Sequence, residues 1–277
     1  MESPRASLDA VKTHLLQKGI PIKKGLSQNF LINVEAAFHI VSLLHNDSSV
    51  CIEIGPGIGA LTEQLLKTQK VIAIEKDADF LDALSSFTSN KDFTLVHHDA
   101  RLYDFSMHRN FSLVTNAPYS ISLDLLRMIC SLHHSIVQVV CIFQKEYVQK
   151  VTEAIHPLRY LLPLLFNLRK ERILPRSFFY PQPKVASQII VLSRKVCPPF
   201  QVEKAYNFLQ YLCLHKKQTL GNTMQHFYQK DWLFHFLKEH DILPSKRIHE
   251  VALPLMENML LSLFTIGNSC QDGNRNR

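Results

Sequence analysis

The chain is short of several features that would have fixed its class at once. Its 277 residues hold one tryptophan and only eight glycines, and its six cysteines (Cys51, Cys130, Cys141, Cys197, Cys213, Cys270) form no C-x-x-C pair. Most of these cysteines sit in apolar runs, which argues against a disulfide framework and for reduced core thiols in a cytoplasmic protein. No apolar run approaches the ~20 residues that a membrane-spanning helix needs, so no membrane association is expected. The pairs His97-His98 and His133-His134 lack a further cysteine or histidine at ligand spacing, so no metal is expected. Glu2 and Asp9 near the start fit neither a signal peptide nor a transit peptide. Acidic residues are in deficit, 24 against 31 Lys and Arg, for a net charge of +7. That balance suits a polyanionic partner such as nucleic acid. At 46% hydrophobic and 20% charged, the composition is that of a globular protein with one large domain, or one plus a small appendage.

Three of the eight glycines fall at alternate positions in Val50-Cys51-Ile52-Glu53-Ile54-Gly55-Pro56-Gly57-Ile58-Gly59. The first half is a short apolar run that reads as a buried parallel strand, and Ala60–Leu66 continues with helical spacing. A strand, a glycine turn and a helix form a βα unit whose backbone can approach a ligand closely, with helix N–H groups on offer to an anionic group. The dinucleotide fingerprint is Gly-x-Gly-x-x-Gly. The spacing here is different and resembles the cofactor loop of class I S-adenosylmethionine (SAM) methyltransferases. An acid about twenty residues further on is expected to bind ribose hydroxyls, and Glu75 stands at the end of the apolar strand Lys70–Glu75.

Along the chain, a short helix is expected over Leu8–Gln17, a loop over Lys23–Leu31, and a helix over Val34–His45 capped by Asn33. Strands Phe93–Val96, Phe111–Thr115 and Ile136–Phe143 alternate with helices, including Ser122–Leu132 and Lys145–Ala154. This predicts a doubly wound α/β sheet. Ligands of such a sheet lie at the carboxyl ends of its strands, and Gly55, Glu75, Asp99 and Asn116 all stand at such ends. The apolar runs Leu161–Phe166 and Ser187–Leu192 are expected to pair as antiparallel edge strands, with an aromatic, proline-rich loop between them. Cys197-Pro198-Pro199 reads as a hinge. Helices are then expected over Val202–Leu214, Lys230–Glu239 and Ile248–Leu263, before a polar, disordered tail. The domains expected are 1–195, 196–266 and the tail 267–277.

Asn116-Ala117-Pro118-Tyr119 suits transfer of a methyl group to an exocyclic amine. The lone pair of such an amine is delocalised into its ring. Two acceptors aimed at its hydrogens favour a pyramidal nitrogen with a freer lone pair. The Asn116 side-chain carbonyl is one candidate acceptor, and a main-chain carbonyl at Ala117 or Pro118 is the other. Pro118 fixes the turn, and Tyr119 supplies a ring for stacking. The sulfonium methyl is already activated, so transfer needs positioning more than a strong base. The target base must be flipped out or single-stranded, and Phe179 is a candidate to close its other face. Lys23, Lys24, Arg169, Lys170, Arg172, Lys184, Lys216, Lys217, Lys246 and Arg247 are candidates for phosphate contacts.

From about Lys23 to Leu263 the chain resembles the small-subunit ribosomal RNA adenine N6,N6-dimethyltransferases of the KsgA type. Ser27-Gln28-Asn29-Phe30-Leu31 is similar to the family's N-terminal motif, which closes over the cofactor. Glu53–Gly59 is similar to its glycine loop, Phe179-Tyr180-Pro181-Gln182-Pro183-Lys184-Val185 to its F-x-P-x-P-K-V loop, and Lys217–Asn222 to a basic segment of its C-terminal helical domain. The resemblance implies a class I SAM-dependent methyltransferase fold with a small C-terminal helical domain. It implies cofactor contacts at Asn29, Leu31, Gly55, Glu75, Asp99 and Asn116. It implies catalytic roles for Asn116, Pro118, Tyr119 and Phe179, and SAM as cofactor. The implied substrate is two adjacent adenosines in the 3′-terminal hairpin of small-subunit RNA, each dimethylated during ribosome biogenesis by a monomeric enzyme.

Departures from the family pattern are Ala117 in place of Leu, Ile or Val, Ala186 in place of Asp, and Lys216-Lys217-Gln218 in place of R-R-K. The glycine and serine expected near Leu158–Leu162 are missing, which predicts a remodelled loop. Competing readings are a large-subunit RNA methyltransferase of the resistance type, a non-enzymatic assembly factor that only holds RNA, and a dehydrogenase. The C-terminal helical region, the intact Asn116–Tyr119 turn with Glu75, and the glycine spacing speak against these in turn.

Overall fold

The computed structural model describes residues 4–19, 29–45, 48–116 and 118–266. Ser27, Gln28, Lys23, Lys24, Ala117 and the expected disordered tail lie outside them. The chain divides into two compact units, Met1–Val148 with Asn167–Arg194, and Gln149–Phe166 with Lys195–Arg277.

Among the described residues nine strands form, all in the first unit except for Phe166 at the start of β7: β1 Phe30–Leu31, β2 Cys51–Ile54, β3 Val71–Glu75, β4 Phe93–His97, β5 Phe111–Thr115, β6 Ile136–Gln144, β7 Phe166–Leu174, β8 Phe179–Tyr180 and β9 Ser187–Arg194. Seven of them form one sheet in the order β4-β3-β2-β5-β6-β9-β7. From β4 to β6 the pairing is parallel, and β9 runs antiparallel to β6. Every residue of β2 and β5 is buried, as expected for parallel strands covered by helices on both faces. The order reverses between β2 and β5, the topological switch point where α/β sheets bind ligands. Register makes this rim level: Ile54 pairs with both Ile74 and Thr115, and Glu75 pairs with His97. Gly55, Glu75 and Asn116 therefore leave the sheet side by side, with Asp99 two residues beyond His97.

The helix Leu8–Gln17 is capped by the Ser7 hydroxyl, which accepts from the Ala10 N–H at 3.2 Å. Its Val11 and Leu15 pack with Phe30, Ile58, Phe80 and Ala83. Asn33 caps the helix Val34–Ser42 by accepting the Ala36 N–H at 2.7 Å. The segment expected to be loop up to Leu31 ends in β1, which pairs antiparallel with β8, Leu31 opposite Phe179.

Leu161–Phe166 is not an edge strand. Pro157–Leu165 is a helix with Pro at its first turn, its N–H of Leu158 received by the His156 ring. An unbroken apolar run carries no period that separates strand from buried helix. The strand beside β9 is β7, whose Arg169, Lys170 and Arg172 hide a strand behind charge. The expected helix Ile248–Leu263 is also divided, into a 3₁₀ turn Ile248–Glu250 and a helix Leu253–Phe264 that begins around Pro254. Helix Pro157–Leu165 belongs to the second unit and packs there against helices Val202–Leu214 and Leu253–Phe264. Residues 149–166 thus leave the first domain to which sequence reading gave them.

Candidate active site

The switch-point rim opens into a cleft of about 390 Å³. Asn29, Leu31, Gly55, Glu75, Asp99, Asn116 and Pro118 all line it. Tyr119 and Phe179 do not. Phe179 is wholly buried in the core with Ile189, Val191 and Leu174. Its pairing with Leu31 turns its ring inward, while the flanking Phe178 and Tyr180 are half-buried. The signal is the short strand Phe179–Tyr180, along which successive side chains point to opposite faces. The ring is therefore not placed to close over a base. Tyr119 opens a 3₁₀ turn beside the cleft, and its hydroxyl lies 2.6 Å from the hydroxyl of Ser187 on β9. Burial raises its pKa above the ordinary phenol value, so the hydroxyl stays protonated.

The glycine turn is built by left-handed backbone. Gly57 has φ +59° and Gly59 φ +93°, a region that side chains disfavour. Space is closed too: a Cβ on Gly57 would lie 3.2 Å from the Phe30 ring, and one on Gly59 2.6 Å from Phe87. The helix that follows, Thr62–Leu65, has only four residues, so it offers little helix dipole at the cleft.

Glu75 is buried and braces this turn. Its carboxylate accepts the Gly57 N–H at 3.0 Å and the Asp77 N–H at 2.8 Å. Burial nevertheless raises its pKa above the ordinary carboxyl value, against the pull of those bonds. Asp99 is the opposite case. It accepts from the Arg101 main chain at 3.0 Å, from Arg101 Nε at 3.1 Å and Nη2 at 2.7 Å, and from Lys76 Nζ at 3.0 Å. The Arg101 guanidinium is the main reason its carboxyl titrates far below the usual range. About four lone-pair directions serve a carboxylate, and four donors occupy them. A further donor at Asp99 would have to displace one of these four.

Asn116 Nδ2 donates to the main-chain carbonyl of Asn29 at 3.1 Å. The amide is thereby oriented, and its carbonyl oxygen is the atom left for a ligand. The Pro118 carbonyl accepts from the Ile121 N–H at 3.1 Å and keeps one lone pair. Among the described residues no group of three or more His, Cys, Asp or Glu is arranged to hold a metal. No helix among them is long and apolar enough to cross a membrane.

Sequence reasoning left out Glu53. It lines the cleft at 2% exposure and receives the Thr62 hydroxyl at 2.6 Å. Burial, with a smaller push from Glu75, lifts its pKa from 4.5 to about 8. Between those values the folded chain holds a proton that the unfolded chain has lost, so this group's stabilisation is lost as pH rises through about 8. Glu53→Gln keeps an acceptor for Thr62 and removes the titration. Thermal melts should show wild type losing stability relative to the variant from about pH 5 to pH 8, by ~2–4 °C for each kcal/mol. Parallel melting curves across that range would contradict the assignment.

Strand order, switch point and glycine turn with a partnered acid define a class I methyltransferase. Solved structures agree on the fold. The chain superposes on the 23S rRNA methyltransferase ErmE with a TM-score of 0.66 at 19% identity, covering 84% of this chain and 98% of that one. It superposes on a dimethyladenosine transferase from Plasmodium falciparum with a TM-score of 0.67 at 22% identity, covering 82% and 95%. Residues 20–263 match the family model described as ribosomal RNA adenine dimethylase. The chain is 30% identical to the ribosomal RNA small subunit methyltransferase A of Enterococcus faecalis, over 91% of its own length and 92% of that protein's. It is also 30% identical to the protein of the same name from Mycoplasmopsis pulmonis, over 83% and 94%. The chain belongs to the ribosomal RNA adenine dimethylase family, whose methyl donor is SAM.

Proposed function

We propose that the chain dimethylates the N6 amines of two adjacent adenosines in the 3′-terminal hairpin of small-subunit ribosomal RNA, as a monomer acting on immature small subunits in the cytoplasm. The observation that carries this is the convergence of Gly55, Glu75, Asp99 and Asn116 on one cleft. Glu75 receives the ribose hydroxyls of SAM on lone pairs that Gly57 and Asp77 leave open. Asp99 receives the adenine amine of the cofactor, and Asn29 and Leu31 close over it from β1. When bound, SAM would supply an activated methyl group, and Asn116 and Pro118 would position the acceptor amine for it.

The target adenine donates its two N6 hydrogens to the Asn116 side-chain oxygen and to a main-chain carbonyl of the turn. These two acceptors would favour a pyramidal nitrogen with a freer lone pair. Bound SAM would supply the activated methyl group and leave as the neutral thioether, and the methylated nitrogen would shed its proton to solvent. One N6 hydrogen then remains, so a single acceptor would position the amine for the second transfer. Tyr119, anchored by Ser187, stiffens the turn.

The test is mass spectrometry of small-subunit RNA from cells with and without the gene. Two neighbouring N6,N6-dimethyladenosines should disappear with it. Unchanged small-subunit RNA and a lost large-subunit methylation would transfer the assignment to the other subunit, which the names of the 30%-identical relatives do not favour.

A further inference from the structure

The donors that fill the Asp99 carboxylate are not held alike. Arg101 grips it as a fork. Its main-chain N–H and Nε reach Oδ1 at 3.0 and 3.1 Å, and its Nη2 reaches Oδ2 at 2.7 Å. Its Nη1 lies 3.5 Å from Asp124 Oδ2, in the helix Ser122–Ser131. Lys76 makes one contact with Asp99, from Nζ to Oδ2 at 3.0 Å, and its side chain is 66% exposed. A planar guanidinium between two carboxylates is pre-organised, whereas an ammonium on a four-carbon stem is flexible and strongly hydrated. Of the four donors, Lys76 is the one that can leave.

The main chain under Lys76 does not have to move with it. Its carbonyl lies 3.2 Å from His97 Nε2, and the carbonyl of Glu75 just before it receives the His98 N–H at 2.9 Å. An exchange at Asp99 is therefore a side-chain event. Asp99 stays ionised through it, since Arg101 is the main reason that this carboxyl titrates far below the usual range. Lys76, Asp99 and Arg101 all line the cleft that Gly55, Glu75 and Asn116 line.

We propose that Lys76 is a specificity-determining residue of the cofactor site: its ammonium occupies Asp99 Oδ2 in the empty cleft and gives that place up to the 6-amino group of the incoming adenine, while Arg101 keeps the carboxylate in position. The proposal rests on the reading of Asp99 as the adenine acceptor and adds a competitor to it. The displaced ammonium keeps its proton and turns into water. A purine with a 6-oxo group has no donor to offer Oδ2, but its oxygen can accept from Lys76 where Lys76 stands. Lys76 thus lowers affinity for the adenine and softens rejection of its 6-oxo analogue.

Calorimetry on the full chain with SAM, S-adenosylhomocysteine and S-inosylhomocysteine tests this. Lys76→Met should bind both adenosyl ligands ~1.5- to 5-fold more tightly, because an exposed ion pair no longer has to be broken. It should bind the inosyl ligand no more tightly than wild type does. The gain should shrink between about 0.05 and 0.5 M salt, which screens exposed pairs. Lys76→Arg should not reproduce it, since a guanidinium can still occupy Oδ2. Arg101→Leu should move the other way and weaken both adenosyl ligands, because Asp99 loses its fork. A merely structural role for Lys76 would not separate adenosyl from inosyl ligands.

Unchanged or weaker adenosyl affinity in Lys76→Met overturns the exchange. So does tightening of SAM alone, which would come from removing one positive charge near a sulfonium and not from Asp99. Equal tightening of the inosyl ligand overturns the role in specificity. If wild type binds neither SAM nor S-adenosylhomocysteine, the cofactor reading falls and the exchange with it. If wild type binds both and Lys76→Met does not tighten, the cofactor reading stands and the exchange alone falls.

Discussion

Asn116→Ala should lower single-turnover methyl transfer about 10²–10³-fold, the scale for removing one polar group that acts on developing charge. SAM affinity should fall far less. The reason lies in how the amide is held. Nδ2 is committed to the Asn29 carbonyl, so the side-chain oxygen has one orientation to offer and loses no entropy finding it when adenine arrives. Alanine removes that oxygen and also frees the segment leading into β1. Asn116→Asp separates the two effects. It supplies an acceptor but no donor for Asn29, so it should retain more activity than alanine while loosening the cofactor by a measurable factor. The readings are methyl transfer from labelled SAM to immature small subunits, and calorimetric titration of SAM. Full activity in Asn116→Ala would remove the acceptor mechanism. Equal loss in rate and in SAM affinity would make Asn116 a cofactor ligand only.

The sheet was legible because parallel strands buried on both faces must be continuous apolar runs. Cys51–Ile54, Val71–Glu75 and Phe111–Thr115 are short, the first ending at Gly55 and the others bounded by polar residues, and their ends are where chemistry belongs. Knowing the tips was enough to name Gly55, Glu75, Asp99 and Asn116 as neighbours, since parallel register allows little else. Three things were not legible, each for its own reason. Leu161–Phe166 is apolar throughout, and only packing against Val202–Leu214 and Leu253–Phe264 decides that it is helical. Phe179 sits in a loop-like composition, so its inward direction comes from pairing with a strand about 150 residues earlier in the chain. Glu53 belongs to an apolar run, and its burial with Thr62 as partner follows from the turn folding back over β2. Of the two cations that hold Asp99, Arg101 is a near neighbour in the chain, while Lys76 reaches it from the end of a neighbouring strand.

Glu75→Ala should nearly abolish SAM binding, and with it all activity. Glu75 has two tasks, and alanine fails both. It would receive the ribose hydroxyls, and it already receives the N–H groups of Gly57 and Asp77. Hydrogen bonds to a charged group are worth about 1.5–3 kcal/mol each, so two ribose contacts correspond to a loss of at least ~100-fold in affinity. The orphaned Gly57 N–H adds to this by loosening a turn whose φ of +59° and contact with Phe30 leave it few alternatives. Glu75→Gln should fall between, since one carbonyl oxygen can still accept. A second reading comes from pH. The acceptor form is the carboxylate, and burial has raised the Glu75 pKa above its usual value. SAM affinity should therefore weaken as pH falls through that raised value, earlier than for an ordinary exposed glutamate. Glu75→Gln should flatten this dependence. Calorimetry on wild type and both variants at a series of pH values measures all of it. Wild-type SAM affinity in Glu75→Ala would mean that the cofactor lies elsewhere than along the tips of β2 and β3.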